Sequence, residues 1–387
     1  MRLLLSLLLL FASLASVAEG AQRFEPTLPP GYAPDKSTDE GGLWYQVERF
    51  EEQLQTSPHI IRNTALTEYL EELVCQLAGD YCGSIRVYLV KNPHFNASMY
   101  PNGMMHVHTG LLLRVANADE LGAVLGHELA HYLRSHSIDQ WRNAKKSLGI
   151  AAFIDIGLAA LHEDLHGLAR DVATVGLMRY NREQESEADA YGVQIIATHG
   201  YDPAASVSLW KYIEAERGAD KSKDTSSIFF ATHPKVENRI ARLKQHIKRY
   251  GKNPKTDETD LDEFQNLVVA EYEGLMDEQI ALQEYEQTAE MIDRHAAIGY
   301  PDSLIKFYRA ELHRQRKKFG DERAAIDLYR KAATFERTAA RSHRELGYLY
   351  IKHGLNDAAK DAFESYLEIT PNADDREMIN FYLETLR

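Results

Sequence analysis

Residues 117–137, NADELGAVLGHELAHYLRSHS, combine a strong helix signal with a metal-binding pattern. Asn117 can cap the helix, and apolar residues follow it at helical spacing. Within the helix His127, Glu128 and His131 form the pattern His-Glu-x-x-His. This spacing places two imidazoles on one helix face, where they can share a zinc ion, with the glutamate beside it as a base. The stretch therefore predicts a helix that carries a metal site.

The same pattern occurs a second time, at His162, Glu163 and His166, inside an Ala/Gly/Ile-rich stretch. The chain has 16 histidines, so one accidental copy is unsurprising. Glu185, in REQESEADAYG, is the obvious third ligand for either copy. It follows His166 by 19 residues, which is close to the interval in thermolysin-like peptidases. The second copy is therefore a serious alternative site.

Two features of the residues favour the first copy. Leu129 and Ala130, between its histidines, are uncharged and can pack beneath the metal, whereas Asp164 adds a carboxylate to the middle of the second copy. The segment MMHVHTGLL, which precedes the first copy, can run beside the site as a strand that holds an extended peptide. These features make the first copy the preferred site.

The size and charge of the chain limit the classes of protein to consider. At 387 residues it is longer than one hydrophobic core usually fills, so two domains are expected. Apolar residues make up 44% of the chain, which is ample for burial. The formal net charge of -14 argues against nucleic-acid binding, because that affinity comes mostly from basic patches.

The first residues, MRLLLSLLLLFASLASVAEGAQ, predict a secretory signal peptide over residues 1–20. Their apolar run is too short for a comfortable membrane span and ends in small residues typical of a cleavage region, with an uncleaved anchor as the alternative. Residues 21–42 are rich in Pro, Gly and acids and predict a flexible segment. Cys75 and Cys82 could form a disulfide in an oxidising compartment or remain buried thiols.

The order of elements predicts an α+β fold for residues 43–250, mostly helical with a small β-sheet. Amphipathic helices are expected at 44–56 and 60–77. Alternating apolar residues at 85–89 and 105–109, with a Pro-Asn-Gly turn signal before the second run, predict strands.

A polar linker at residues 251–262 separates this domain from an all-α repeat domain at 263–387. The stretch HRELGYLYIKHGLNDAAKDAFESYLEITP has tetratricopeptide spacing, and matching residues stand 34 positions earlier. Two repeats are expected, with a degenerate helix pair at 261–298 before them and a closing helix after them. Such repeats stack into a concave surface that binds polypeptides, although this domain could instead only stabilise its neighbour.

Three ordered motifs resemble the Ste-type, HtpX-like and Oma-type zinc metallopeptidases. They are NPHFNASMYPNGMMHVHTGLLLRVANADELGAVLGHELAHYLRSHS, REQESEADAYG and THPKVENRI. The resemblance covers roughly residues 40–250 and implies a zincin-type fold for this part of the chain. It also implies that His127, His131 and Glu185 bind one zinc ion.

The resemblance further implies roles for residues around the metal. Glu128 takes the proton of the attacking water and passes it to the leaving amine. Asp189 accepts the outer N–H of a ligand imidazole. His233 stabilises the oxyanion or, at rest, occupies the open zinc position. Arg182 and Arg239 brace the ligand glutamate and this aspartate, with surface salt bridges as the alternative.

The leader, the peptidase motifs and the repeats together resemble periplasmic members of this family that act in outer-membrane protein assembly. This resemblance implies an exported zinc endopeptidase that cleaves misfolded or stalled envelope proteins. Its partners would be unfolded or misassembled envelope proteins, with the outer-membrane assembly machinery bound through the repeats. No nucleic acid and only peripheral membrane contact are expected. The alternative is a chaperone-like assembly factor with latent protease activity.

Overall fold

The computed structural model describes residues 23–148, 180–220, 229, 233, 238–250 and 261–386. The predicted signal peptide, the second His-Glu-x-x-His copy at 162–166 and most of the predicted linker lie outside these residues. The described residues form an N-terminal α+β domain followed by a helical region, which confirms the predicted fold class. None of the described helices has the length and apolar character needed to cross a bilayer.

The N-terminal domain contains a four-stranded sheet surrounded by helices. Its strands are β1 (Ile60–Ile61), β2 (Arg86–Val90), β3 (Ala97–Met99) and β4 (Met104–His108), in the order β1-β2-β4-β3. Its helices are α1 (Asp39–Thr56), α2 (Ala65–Ala78), α3 (Thr109–Leu112), α4 (Ala118–Leu133), α5 (His136–Leu148), α6 (Arg182–Thr198), α7 (Ala205–Gly218) and α8 (Arg239–Ile247). A short 3-10 helix, Gly79–Ser84, follows α2.

Local capping explains where the first two helices begin. Helix α1 starts at Asp39, before the predicted residue 44, because the Thr38 side chain accepts a hydrogen bond from the Gly41 N–H. Helix α2 starts after Thr64, which forms a capping box with Thr67. Residues 60 and 61, predicted as helix, instead pair antiparallel with β2.

Strand β4 lies inside the sheet, where all five of its residues are buried. It pairs parallel with β2 and antiparallel with β3. The expectation that this segment holds an extended peptide is therefore wrong, because both of its edges already have partner strands. In the described part of the sheet β3 is the edge strand on this side, and it packs against α4.

The segment before α1 lies against the domain, although a free, flexible segment was expected. The Phe24 N–H donates to Gln194 Oε1 at 2.9 Å, and the Phe24 carbonyl accepts from Gln194 Nε2 at 3.0 Å. The Thr27 N–H donates to the Leu133 carbonyl at 2.8 Å. Satisfied backbone groups hold the segment in place even though its composition is typical of loops.

The helical region contains three consecutive helix pairs and a closing helix. They are α9 (Glu263–Ala281) with α10 (Tyr285–Ala297), α11 (Asp302–Arg316) with α12 (Asp321–Ala332), α13 (Glu336–Lys352) with α14 (Asn356–Ile369), and finally α15 (Arg376–Thr385). The third pair packs closely because position 347 is glycine, and a Cβ there would clash with the ring of Phe363. The assignment to the tetratricopeptide class remains a prediction from residue spacing.

Buried polar contacts join the first helix pair to the N-terminal domain. Arg114 donates to Gln279 Oε1 on α9 at 3.2 Å. Arg294 on α10 forms an ion pair of 2.5 Å with Glu120 on α4. One apolar cluster also runs through both regions. The helix that carries the first His-Glu-x-x-His motif is therefore in direct contact with the helical region.

Candidate metal centre

Helices α4 and α6 pack side by side and carry the candidate ligands. The packing is close because Gly192 on α6 faces the backbone of Gly126 and His127 on α4. A Cβ at Gly192 would lie 3.0 Å from the His127 nitrogen and 3.2 Å from the Gly126 carbonyl carbon. Glycine at this contact brings Glu185, near the start of α6, beside the two histidines of α4.

Four buried side chains converge between these helices: His127, His131, Glu185 and His233. One possible ligand atom from each lies within 4.8 Å of all the others. The two Nε2 atoms of His127 and His131 are 3.1 Å apart. His131 Nε2 lies 3.4 Å from Glu185 Oε1, and His233 Nδ1 lies 2.9 Å from the same oxygen. The structure thus joins Glu185 to the first motif copy.

The protonation states of these groups suit cation binding. Burial lowers the pKa of His131 well below its usual value, which keeps the imidazole neutral. Burial alone would raise the pKa of Glu185, but the neighbouring His233, together with His131 and His127, holds it well below its usual range. A neutral imidazole and an ionised carboxylate are the forms that bind metals.

Glu128 lies beside this cluster, and within the described part of the chain its carboxylate accepts no hydrogen bond. Both of its carboxylate oxygens are fully buried and accept no hydrogen bond from the described residues, and His233 Nε2 is 3.5 Å from Oε1. Burial raises the pKa of Glu128. A buried carboxylate without a donor is costly, so the arrangement fits a centre in which a cation and water complete its surroundings.

The donor set fits a nitrogen-preferring divalent cation. Imidazole nitrogens and a single carboxylate oxygen are typical of zinc sites, whereas calcium and magnesium prefer all-oxygen sets. His127, His131 and Glu185 would hold the ion, and His233 offers a fourth donor. The residues present therefore fit a divalent metal.

Asp189 and Arg239 support His127 from the side away from the cluster. Asp189 Oδ1 lies 3.1 Å from His127 Nδ1. Arg239 forms an ion pair of 2.5 Å with the same carboxylate and lies 3.6 Å from Glu185 Oε2. Its guanidinium also stacks on the Trp210 ring at 3.8 Å. The structure therefore places Asp189 and Arg239 beside the candidate ligands, and their supporting roles remain predictions.

Three other predicted residues lie apart from the cluster. Arg182 is exposed in the first turn of α6 and, in the described part of the chain, forms no ion pair with Glu185 or Asp189. The expectation that it braces them is not met, because the first turn of α6 turns this side chain toward solvent.

Cys75 and Cys82 form a disulfide that joins α2 to the 3-10 helix.

Sequence reasoning missed side chains that pack around the histidines. His136 Nδ1 lies 2.9 Å from His131 Nδ1. Tyr180 stacks on the His131 ring at 3.6 Å between centroids, and Phe229 stacks on His233 at 4.4 Å. His136 could have been found by its position five residues after His131, just past the end of α4. Nothing in the local sequence distinguishes Tyr180 or Phe229 from ordinary core aromatics.

A His-Glu-x-x-His helix, a glutamate from a second helix and a buried glutamate with no hydrogen-bond donor among the described residues form an arrangement typical of zinc metallopeptidases. Residues 61–247 match the model of Peptidase family M48. The matched residues include both helices that carry the candidate ligands.

The chain is also similar to curated proteins over part of its length. The chain is 30% identical over 163 residues to the mitochondrial metalloendopeptidase OMA1 of Schizosaccharomyces pombe, covering 42% of this chain and 46% of the relative. It is 27% identical over 214 residues to the beta-barrel assembly-enhancing protease of Yersinia pestis, covering 52% and 43%. For the protein of that name in Escherichia coli K12 the values are 26% over 201 residues, 49% and 40%. The chain spans about half the length of the curated relatives that it matches.

Proposed function

We propose that the protein is a zinc-dependent endopeptidase. The observation that carries this proposal is the buried cluster of His127, His131 and Glu185 beside the carboxylate of Glu128, which has no hydrogen-bond donor among the described residues. The donor chemistry supports zinc as the metal. The match to this family supports peptide-bond hydrolysis as the reaction.

The chain's own residues account for the proton transfers of such a reaction. A bound zinc ion would supply a Lewis acid for the peptide carbonyl and a water of lowered pKa. Glu128 accepts a proton from the attacking water and returns it to the leaving amine, and its raised pKa suits both steps. Asp189 and Arg239 keep His127 in one orientation.

The proposed setting is the periplasm, with envelope proteins as substrates. The leader-like sequence at residues 1–20 supports export. Relatives named as beta-barrel assembly-enhancing proteases support a role in the assembly of outer-membrane proteins. The consecutive helix pairs beyond residue 262 would bind the client or the assembly machinery on their stacked surface.

A chaperone-like assembly factor with latent protease activity is the second candidate. The position of His233 favours it. Its Nδ1 lies 2.9 Å from Glu185 Oε1 and 3.4 Å from His127 Nε2, so the imidazole stands where substrate would approach the metal. An imidazole in the fourth position would keep basal cleavage low until it moves aside.

Casein cleavage and zinc content, measured for the wild type and for Glu128→Gln, test the proposed function. We expect the wild type to bind zinc and cleave, and the variant to keep zinc and lose cleavage, with a barrier increase of several kcal/mol. Retained cleavage in the variant would contradict the role of Glu128 as the base. A wild type that binds clients but never cleaves them would favour the chaperone-like candidate.

A further inference from the structure

We propose that His136 and Glu187 are positioning residues that fix the orientation and the proton of His131. His136 Nδ1 lies 2.9 Å from His131 Nδ1, and His136 Nε2 lies 3.1 Å from Glu187 Oε2. Arg134 holds the other oxygen of Glu187 in an ion pair of 2.8 Å. These contacts form one series of four side chains that begins at the candidate metal ligand His131, continues through His136 and Glu187, and ends at Arg134.

The direction of each hydrogen bond follows from the ring atom that faces the cluster. His131 turns Nε2 toward His127 and Glu185, at 3.1 and 3.4 Å, so Nε2 is the atom that would bind the metal. A neutral imidazole then carries its proton on Nδ1. An N–H group donates and does not accept, so His131 donates this hydrogen bond and His136 Nδ1 accepts it. His136 therefore carries its own proton on Nε2 and donates it to Glu187.

This series of contacts supports the imidazole of His131 in the way that Asp189 supports the imidazole of His127. In both cases a carboxylate of α6 stands at the end of a series of polar contacts from the outer nitrogen of a ligand imidazole, directly for His127 and through His136 for His131. Such contacts raise the basicity of the ligand and prevent its ring from rotating. Helix α6 thus supplies one candidate ligand and both supporting carboxylates.

The surroundings of His136 favour this role over simple packing. Its side chain is 3% exposed, and both ring nitrogens have polar partners. A histidine that only fills space in a core can bond to any nearby polar group. His136 instead contacts the outer nitrogen of the candidate ligand His131. The imidazole between His131 and Glu187 is also nearly perpendicular to the ligand ring, at 72°. Packing alone would not require this nitrogen-to-nitrogen contact.

The inference rests on the proposed metal site, and zinc binding by the wild type tests that site separately. The first measurement is the zinc dissociation constant of the full chain, obtained by competition with a chelator. We expect His136→Leu to weaken zinc binding by about 10- to 100-fold. His136→Asn, whose Oδ1 can accept the His131 N–H, should recover most of the affinity. The matched control is His199→Leu, which changes a half-buried histidine just after the end of α6 whose Nδ1 lies 2.8 Å from the Ile195 carbonyl oxygen.

The second measurement is independent of any substitution. In the zinc-loaded wild type labelled with nitrogen-15 at histidine, the imidazole resonances should show His131 protonated on Nδ1 and His136 protonated on Nε2. Three results would overturn the proposal. They are unchanged zinc affinity in His136→Leu, a proton on Nδ1 of His136, and equal losses in the Leu and Asn variants, because packing would then explain the losses. A wild type without zinc affinity would instead refute the metal site itself.

Discussion

Acid should weaken the attachment between the helical region and the N-terminal domain, because a buried histidine connects them. His295 on α10 donates from Nε2 to the Leu113 carbonyl at 2.6 Å, and its Nδ1 accepts from the Tyr272 hydroxyl at 2.7 Å. Burial lowers its pKa from 6.5 to about 4, and the positive charges of Arg294 and Arg114 add to this effect. His295 therefore stays neutral in the folded protein at pH values where the same side chain is protonated in the unfolded chain.

The sign and size of the effect follow from these two pKa values. Above pH 6.5 both states are neutral and the full stability is present. As the pH falls from 6.5 toward 4, the unfolded chain takes up the proton first, so stability is lost. The loss from His295 is about 2 kcal/mol at pH 5 and approaches about 3.4 kcal/mol below pH 4.

Urea unfolding of the wild type and of His295→Gln at pH 7 and pH 5 tests this reasoning. The glutamine variant starts less stable, because it loses packing and hydrogen bonds. Between pH 7 and pH 5 the free energy of unfolding of this variant should fall by about 2 kcal/mol less than that of the wild type. Metal loss on acidification affects both proteins and cancels in the comparison. Equal losses in the two proteins would refute the argument.

Two further substitutions test the geometry of the centre. Gly192→Ala should push α6 away from α4 and weaken zinc binding by about tenfold or more. The control Gly274→Ala, on an open face of α9, should leave zinc binding unchanged. Equal zinc affinities in the two variants would contradict the close packing of α4 and α6 as the cause. His233→Ala should cleave an unfolded substrate faster than the wild type at equal zinc content, because the imidazole no longer occupies the approach to the metal. Strongly reduced cleavage at equal zinc content would make His233 a transition-state residue instead.

The parts of the fold that depend on local signals could be predicted from the sequence. Asn117 accepts from the Glu120 N–H at 3.0 Å and starts α4 where the capping pattern placed it. Asn181 caps α6 in the same way. Both helices combine a cap with regular apolar spacing, so the information lies within one or two turns. The helix pairs beyond residue 262 likewise follow a regular spacing along the chain.

The remaining features depend on contacts between distant residues. The central place of β4 requires two partner strands, which an alternating pattern does not identify. Phe24 meets Gln194 across 170 residues, so nothing near the N-terminus showed that this segment is held in place. The spacing of His136 from His131 could suggest proximity but not a role, because that role depends on Glu187 from another helix.

Zinc analysis of purified single alanine variants distinguishes the two copies of the His-Glu-x-x-His motif. We expect one zinc ion per chain in the wild type and its loss in His127→Ala, His131→Ala and Glu185→Ala, the three side chains that meet in the buried cluster. His162→Ala and His166→Ala should keep the ion, because neither side chain is assigned as a ligand. Zinc that is retained in His127→Ala and His131→Ala but lost in His162→Ala and His166→Ala would assign the metal to the second copy and contradict the proposed site.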